Sequence, residues 1–267
     1  MLSLAISPCP NDTFVFYAII HGRIDLEGLK FDVKMHDVET LNHMALAGGS
    51  DMIKVSFFTY LLVQRNYLLL DSGSAMGFGN GPLLISKKDF KIEDMPQLTV
   101  AVPGRYTTAN MLFSIAAPVV KKKEFLLFSL IEDAVLSGKV DAGVIIHENR
   151  FTYQDKGLQN ILDLGSYWEQ LTGSPIPLGG ILVRNGLGYN IINKLNRIMY
   201  RSVEYAMKHP EETMPFVREH AQEMDEEVMR KHIGLYVNQN TLSMGTGGKV
   251  ALTKLQKIAR EKGLLKK

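Results

Sequence analysis

The residues best suited to chemistry fall in four short stretches. His147 follows an apolar run, Ala142-Gly143-Val144-Ile145-Ile146, and opens a polar one, His147-Glu148-Asn149-Arg150. An imidazole at the rigid end of a buried strand can titrate near neutrality and move a proton. The plainer alternative is a strand-end histidine bonded to a backbone carbonyl. Lys54-Val55-Ser56 closes a second apolar run. The two runs share a lead-in: Leu46-Ala47-Gly48-Gly49-Ser50-Asp51 and Leu136-Ser137-Gly138-Lys139-Val140-Asp141 have Leu, Gly and Asp at the same spacing. That spacing suits a helix that ends at a glycine and feeds a buried strand. Both strands then deliver polar groups at their C-terminal ends, where open α/β sheets bind ligands.

The third stretch is Val102-Pro103-Gly104-Arg105-Tyr106-Thr107-Thr108-Ala109-Asn110. A strand ends, a Pro-Gly turn follows, and hydroxyl residues open a helix. The unpaired N–H groups of that helix and the hydroxyls of Thr107 and Thr108 could hold a carboxylate, or could form an ordinary cap. Arg105 could add charge there or point to solvent. The fourth is Ser7-Pro8-Cys9-Pro10-Asn11-Asp12-Thr13-Phe14. Its prolines force an extended turn between a strand and a helix. Asn11 or Asp12 is expected to cap that helix. Cys9 reads as a small buried residue rather than a nucleophile.

The remaining histidines are weaker candidates. His21, His209 and His220 fall near predicted helix C-termini, where a cation is favoured. His36, His43 and His232 lie on amphipathic elements and are expected to be structural or exposed. No HExxH or CxxC pattern occurs, and the glycine-rich loop 72–82 lacks the Lys-Ser/Thr of a phosphate loop. No metal and no cofactor are expected, and that loop reads as a flexible crossover bordering a cleft.

The elements that must position these groups alternate. Strands are predicted at 2–6, 29–35, 52–56, 83–86, 98–102 and 142–146, with helices at 14–20, 38–47 and 57–64. The chain turns helical after about residue 188, with helices at 191–208, 210–220, 225–237 and 249–262. This is an α/β pattern with mixed sheets and helices on both faces. The two lead-ins suggest two similar lobes around a cleft. The first lobe is expected to be discontinuous, residues 1–90 and 184–267, with 91–183 as the second. The chain returns through 178–184, and two crossings make a hinge.

Composition narrows the classes. The 267 residues are 46% hydrophobic and 22% charged, with a formal net charge of +2. Such a chain buries a sizeable core and carries no nucleic-acid footprint. Lys121-Lys122-Lys123 reads as a solvated turn. Cys9 is the single cysteine, so no intramolecular disulfide forms. No signal peptide or membrane span is read, and a cytoplasmic location is expected.

Several of these stretches together resemble the 1,4-dihydroxy-6-naphthoate synthase family of the futalosine route to menaquinone. They are Ser7 to Phe14, Asp37-Val38-Glu39-Thr40-Leu41-Asn42, Val102-Pro103-Gly104-Arg105 with Thr107-Thr108, Ile145-Ile146-His147-Glu148 with Arg150-Phe151-Thr152-Tyr153, and Tyr236-Val237-Asn238. The likeness runs over essentially the whole chain. It implies a two-lobe, type II periplasmic-binding-protein-like fold used as an enzyme. It implies a lyase that converts a small molecule, cyclic dehypoxanthinyl futalosine, to 1,4-dihydroxy-6-naphthoate. The family's base falls on His147, and its substrate contacts fall on Lys54, Val55, Ser56, Thr107 and Thr108. Gly245-Thr246-Gly247-Gly248-Lys249 is the least family-like segment. A solute-binding protein and a chorismate dehydratase of the same fold are the competing readings.

Overall fold

A computed structural model describes residues 1–90, 92–221 and 225–265. In chain order the elements are β1 (Leu2–Ile6), α1 (Pro10–Ile20), β2 (Phe31–Met35), α2 (Val38–Leu46), β3 (Met52–Ser56), α3 (Phe57–Val63), β4 (Tyr67–Leu69), β5 (Ala75–Gly77) and β6 (Leu83–Ser86). Then come β7 (Thr99–Val102), α4 (Thr108–Ala116), β8 (Lys122–Phe125), α5 (Ile131–Leu136), β9 (Ala142–Ile145), α6 (Asn149–Thr152), β10 (Gln159–Asp163), α7 (Leu164–Thr172) and β11 (Ile176–Arg184). The C-terminal part is helical: α8 (Tyr189–Lys208), α9 (Pro210–His220), α10 (Glu226–Tyr236), α11 (Gln239–Leu242) and α12 (Gly245–Glu261).

Among the described residues two sheets form, and they have the same plan. The first runs β2-β1-β3-β11-β4, with β5 also paired to β11. The second runs β8-β7-β9-β6-β10. In each, a central strand is parallel to two neighbours: β1 to β2 and β3, and β7 to β8 and β9. In each, the next strand is antiparallel: β11 against β3, and β6 against β9. The parallel pairs need helical crossovers, which cover both sheet faces.

Sheet membership departs from the expected lobe boundaries. Leu83–Ser86, expected in the first lobe, pairs with β9 and β10 of the second sheet. Ile176–Arg184, mostly expected in the second lobe, lies wholly in the first sheet. The crossings therefore fall before β6 and before β11. Strand pairing, not the position of the next apolar run, decides where a lobe ends.

Local physics accounts for most elements. Helix α8 buries Leu195, Ile198, Met199, Ser202, Val203 and Ala206, a single helical stripe. Helix α1 is buried along nearly its whole length, enclosed by α8, α9 and α10. It begins at Pro10, where a missing N–H costs nothing, and Cys9 is its N-cap without a side-chain bond. Neither Asn11 nor Asp12 caps it, because both lie inside its first turn. Lys121-Lys122-Lys123 is solvated at its first two residues but is not a turn: it leads into edge strand β8, and Lys123 Nζ bonds Asn110 Oδ1 at 3.1 Å and Ser114 Oγ at 2.6 Å. Loop 72–82 contains strand β5.

One apolar cluster joins the two sheets. It includes Phe57 and Phe58 of α3, Val100 and Val102 of β7, Phe113 of α4, Trp168 of α7, and Ala251, Leu255 and Ala259 of α12. Trp168 is fully buried and its Nε1–H donates to Pro175 O at 3.1 Å, so the large ring carries no unpaired donor. No helix among the described residues is long and apolar enough to cross a membrane.

Candidate functional site

The matched lead-ins do the same work in both lobes. Helix α2 ends at Leu46 and α5 at Leu136, and Gly48 and Gly138 follow with left-handed φ of 72° and 76°. Each turn feeds a buried strand, β3 or β9. The strand ends meet at one cleft, which holds about 670 Å³ free of protein atoms, part of it open to solvent. Lys54, Val55, Ser56, Thr107, Thr108 and His147 all line it. So do Ser7, Asn11, Asp12 and Tyr236.

On the first-lobe side, Lys54 and Asp12 form a buried salt bridge with side chains only 8% and 2% exposed. Asp12 also accepts from Ser7 Oγ at 2.8 Å and from Asn11 Nδ2 at 2.8 Å. A buried carboxylate needs such partners to offset its lost hydration. Ser56 is held by Asn42 of α2: its N–H donates to Asn42 Oδ1 at 2.9 Å, and Asn42 Nδ2 donates to its Oγ at 3.2 Å.

Across the cleft, His147 has a left-handed φ of 59°. That conformation is uncommon for a non-glycine residue, although histidine adopts it more readily than most. Its ring stands edge-on to Phe128 at 4.8 Å and stacks over His232 at 6.0 Å, with Nε2 3.6 Å from Cys9 Sγ. Burial lowers its pKa to about 4; Asp12 raises it and Lys54 lowers it by smaller amounts. Burial, with Glu148 next, pushes the Cys9 thiol well above its usual range. At neutral pH the ring is unprotonated and the sulfur is a thiol.

The two threonines differ. Thr107 is the N-cap of α4, accepting from Asn110 N at 3.1 Å. Thr108 spends its hydroxyl on the first lobe, donating to Leu178 O at 2.7 Å and accepting from Phe58 N at 3.2 Å. The α4 N-terminus therefore lines the cleft while being stitched to the opposite lobe. A second stitch lies beside it: Glu39 accepts from the N–H groups of Arg105 and Tyr106 at 2.6 and 3.1 Å. The Arg105 guanidinium lies 4.9 Å over the Phe125 ring and is not part of the cleft wall.

Sequence reasoning missed Asp12 as a partner of Lys54, and Asn42. A polar residue on the buried face of α2, beside Leu41 and Ala45, was the available signal for Asn42. It also underrated His232, which is fully buried against the site. No sequence signal links Cys9 to His147.

Two lobes of like strand order, with a cleft at their strand ends, define a binding-protein-like class of molecule. A Candida albicans gene product described as having the generic periplasmic binding protein fold is 14% identical, with a TM-score of 0.72 over 100% of this chain and 91% of that one. A crystal structure of an Archaeoglobus fulgidus protein is 33% identical, with a TM-score of 0.94 over 99% and 98% of the two chains. Residues 2–261 match the family model described as menaquinone biosynthesis, and the chain belongs to that family. Two relatives are named 1,4-dihydroxy-6-naphtoate synthase. The one from Thermus thermophilus is 44% identical over 98% of this chain and 95% of its own. The one from Streptomyces coelicolor is 43% identical over 99% and 94%.

Proposed function

We propose that this protein is a carbon–carbon lyase that converts cyclic dehypoxanthinyl futalosine to 1,4-dihydroxy-6-naphthoate, with His147 as general base. The names of the two relatives support the reaction. The observation that carries the role of His147 is its ring: unprotonated at neutral pH, on a cleft wall, just past the end of a buried strand.

In this reading the His147 lone pair takes a proton from the cyclic substrate. The electrons left behind break a carbon–carbon bond, the new ring aromatises, and the sugar-derived carbons leave. Lys54 and Ser56 bind one end of the substrate, Val55 supplies an apolar wall, and Thr107 with the α4 N-terminus holds an anionic or hydroxylated part. Thr108 meets the substrate through its main chain, since its hydroxyl is already bonded twice. A positioned base of this kind contributes about 10²–10⁴-fold.

The test offers cyclic dehypoxanthinyl futalosine and chorismate separately to the purified protein and identifies products by mass spectrometry. Naphthoate from the first substrate alone is expected. Binding without turnover would instead favour a solute-binding role, and turnover of chorismate a dehydratase. His147→Ala should lose turnover while keeping ligand affinity; near-normal turnover would remove His147 from the chemistry.

A further inference from the structure

A row of polar groups runs under the cleft wall and starts at a residue that the proposed chemistry does not use. His232 lies on α10 and is fully buried. Its Nε2 is 3.0 Å from Asn11 Oδ1. Asn11 Nδ2 donates to Asp12 Oδ1 at 2.8 Å, so the amide oxygen is the end that faces His232. An oxygen facing Nε2 requires that nitrogen to donate. Asp12 Oδ1 also accepts from Lys54 Nζ. The row therefore reads His232, Asn11, Asp12, Lys54, and it ties α10 through α1 to β3.

The surroundings of His232 suit a neutral donor. Burial first, then His147 and Lys54, hold it well below the usual histidine range. The His147 ring stacks at 6.0 Å and the Tyr236 ring lies at 4.6 Å. Glu148 Oε2 is 3.8 Å from Nδ1, beyond hydrogen-bond length. A ring needed only to fill space would not have to aim an N–H at an amide whose other end grips the partner of a cleft lysine.

We propose that His232 is a positioning residue: its Nε2–H fixes the Asn11 amide, and Asn11 with Asp12 then fixes Lys54 in the cleft wall. The proposal rests on the reading of Lys54 as a substrate contact. Without the donor, the Asn11 oxygen is left buried and unpaired, and the amide is free to turn. The amide then no longer fixes the Asp12 carboxylate, and the place of Lys54 in the cleft wall is no longer set.

The experiment compares the wild type, His232→Gln and His232→Leu. Glutamine can return a donor near the position of Nε2; leucine cannot. With cyclic dehypoxanthinyl futalosine, His232→Leu is expected to raise KM by about tenfold while kcat falls less, and His232→Gln to keep KM within about threefold of wild type. An unchanged KM in the leucine variant, a loss confined to kcat, or a glutamine variant no better than leucine would each overturn the proposal. Two further readouts need no turnover, so they stand even if the substrate assignment fails. In a crystal structure of His232→Leu, the Asn11 and Asp12 side chains and Lys54 Nζ should leave their wild-type positions; an unmoved lysine overturns the proposal. If the leucine variant does not fold, nitrogen-15 spectra of the histidine-labelled wild type decide. The resonance that disappears in His232→Gln should report Nε2–H and a bare Nδ1 from roughly pH 6 to 8. The opposite tautomer, or a doubly protonated ring, overturns it.

Discussion

The sulfur of Cys9 lies 3.6 Å from Nε2 of His147, although the two residues are 138 positions apart in the chain. The first closes the β1–α1 turn and the second follows β9, so the contact joins the lobes at the point where the proposed base sits. A thiol–imidazole contact invites comparison with a nucleophilic pair. Burial argues otherwise, because it holds Cys9 as the thiol, and only the thiolate is strongly nucleophilic. Cys9→Ala is expected to keep turnover within about tenfold. Iodoacetamide at neutral pH should leave the folded protein unmodified by mass. A loss of about a thousandfold would make the sulfur a reactant.

The pH dependence follows from His147. In the unfolded chain it binds a proton near its ordinary value of 6.5, and in the folded protein only near 4. Between those values the unfolded state holds more protons, so this residue's contribution to stability is complete above 6.5 and is lost as the pH falls toward 4. Stability to urea should therefore fall less steeply with decreasing pH across this window in His147→Gln than in the wild type. Equal slopes would contradict a buried neutral ring. For the same reason the acid limb of kcat/KM should fall near pH 4 rather than near 6.5.

The Lys54–Asp12 salt bridge should be costly to break from one side. Asp12→Asn or Lys54→Met leaves an uncompensated buried charge, with an expected loss of about 3–5 kcal/mol in denaturant unfolding. The double variant should recover much of that loss, because no lone charge remains. Additive losses in the double-mutant cycle would show that the two groups do not act as a pair.

The Glu39 stitch depends on Gly104. That glycine has φ of 128°, and a Cβ there would stand 2.5 Å from Glu39 Oε2. Gly104→Ala must therefore strain the turn and push the carboxylate off the N–H groups of Arg105 and Tyr106. Because Asn42 joins Glu39 to Ser56, the disturbance reaches the cleft. A loss of about 1–3 kcal/mol is expected, together with faster amide exchange at Arg105 and Tyr106. Unchanged exchange would show that the stitch is not closed in solution.

Much of the fold was legible because periodicity reports burial locally. The stripe of α8, the apolar runs of β1, β3 and β9, and the paired glycine lead-ins are all short-range patterns with a direct physical reading. The candidate site was legible for a related reason: a polar residue at the end of a buried strand has few places to go. That logic singled out Lys54 to Ser56 and His147, and the turn before α4 added Thr107 and Thr108.

What tertiary structure alone decided is every relation between distant residues. Strand pairing moved β6 into the second sheet and β11 into the first, because an apolar run does not state which neighbour completes its hydrogen bonds. Asp12 reads locally as a helix cap and becomes the partner of a lysine 42 residues on. His232 reads as a residue of an amphipathic helix and proves to be buried behind the cleft, bonded to Asn11. Periodicity within an element is a property of the chain itself, but the pairing of buried polar groups is set by which elements pack together, and that is a property of the whole fold.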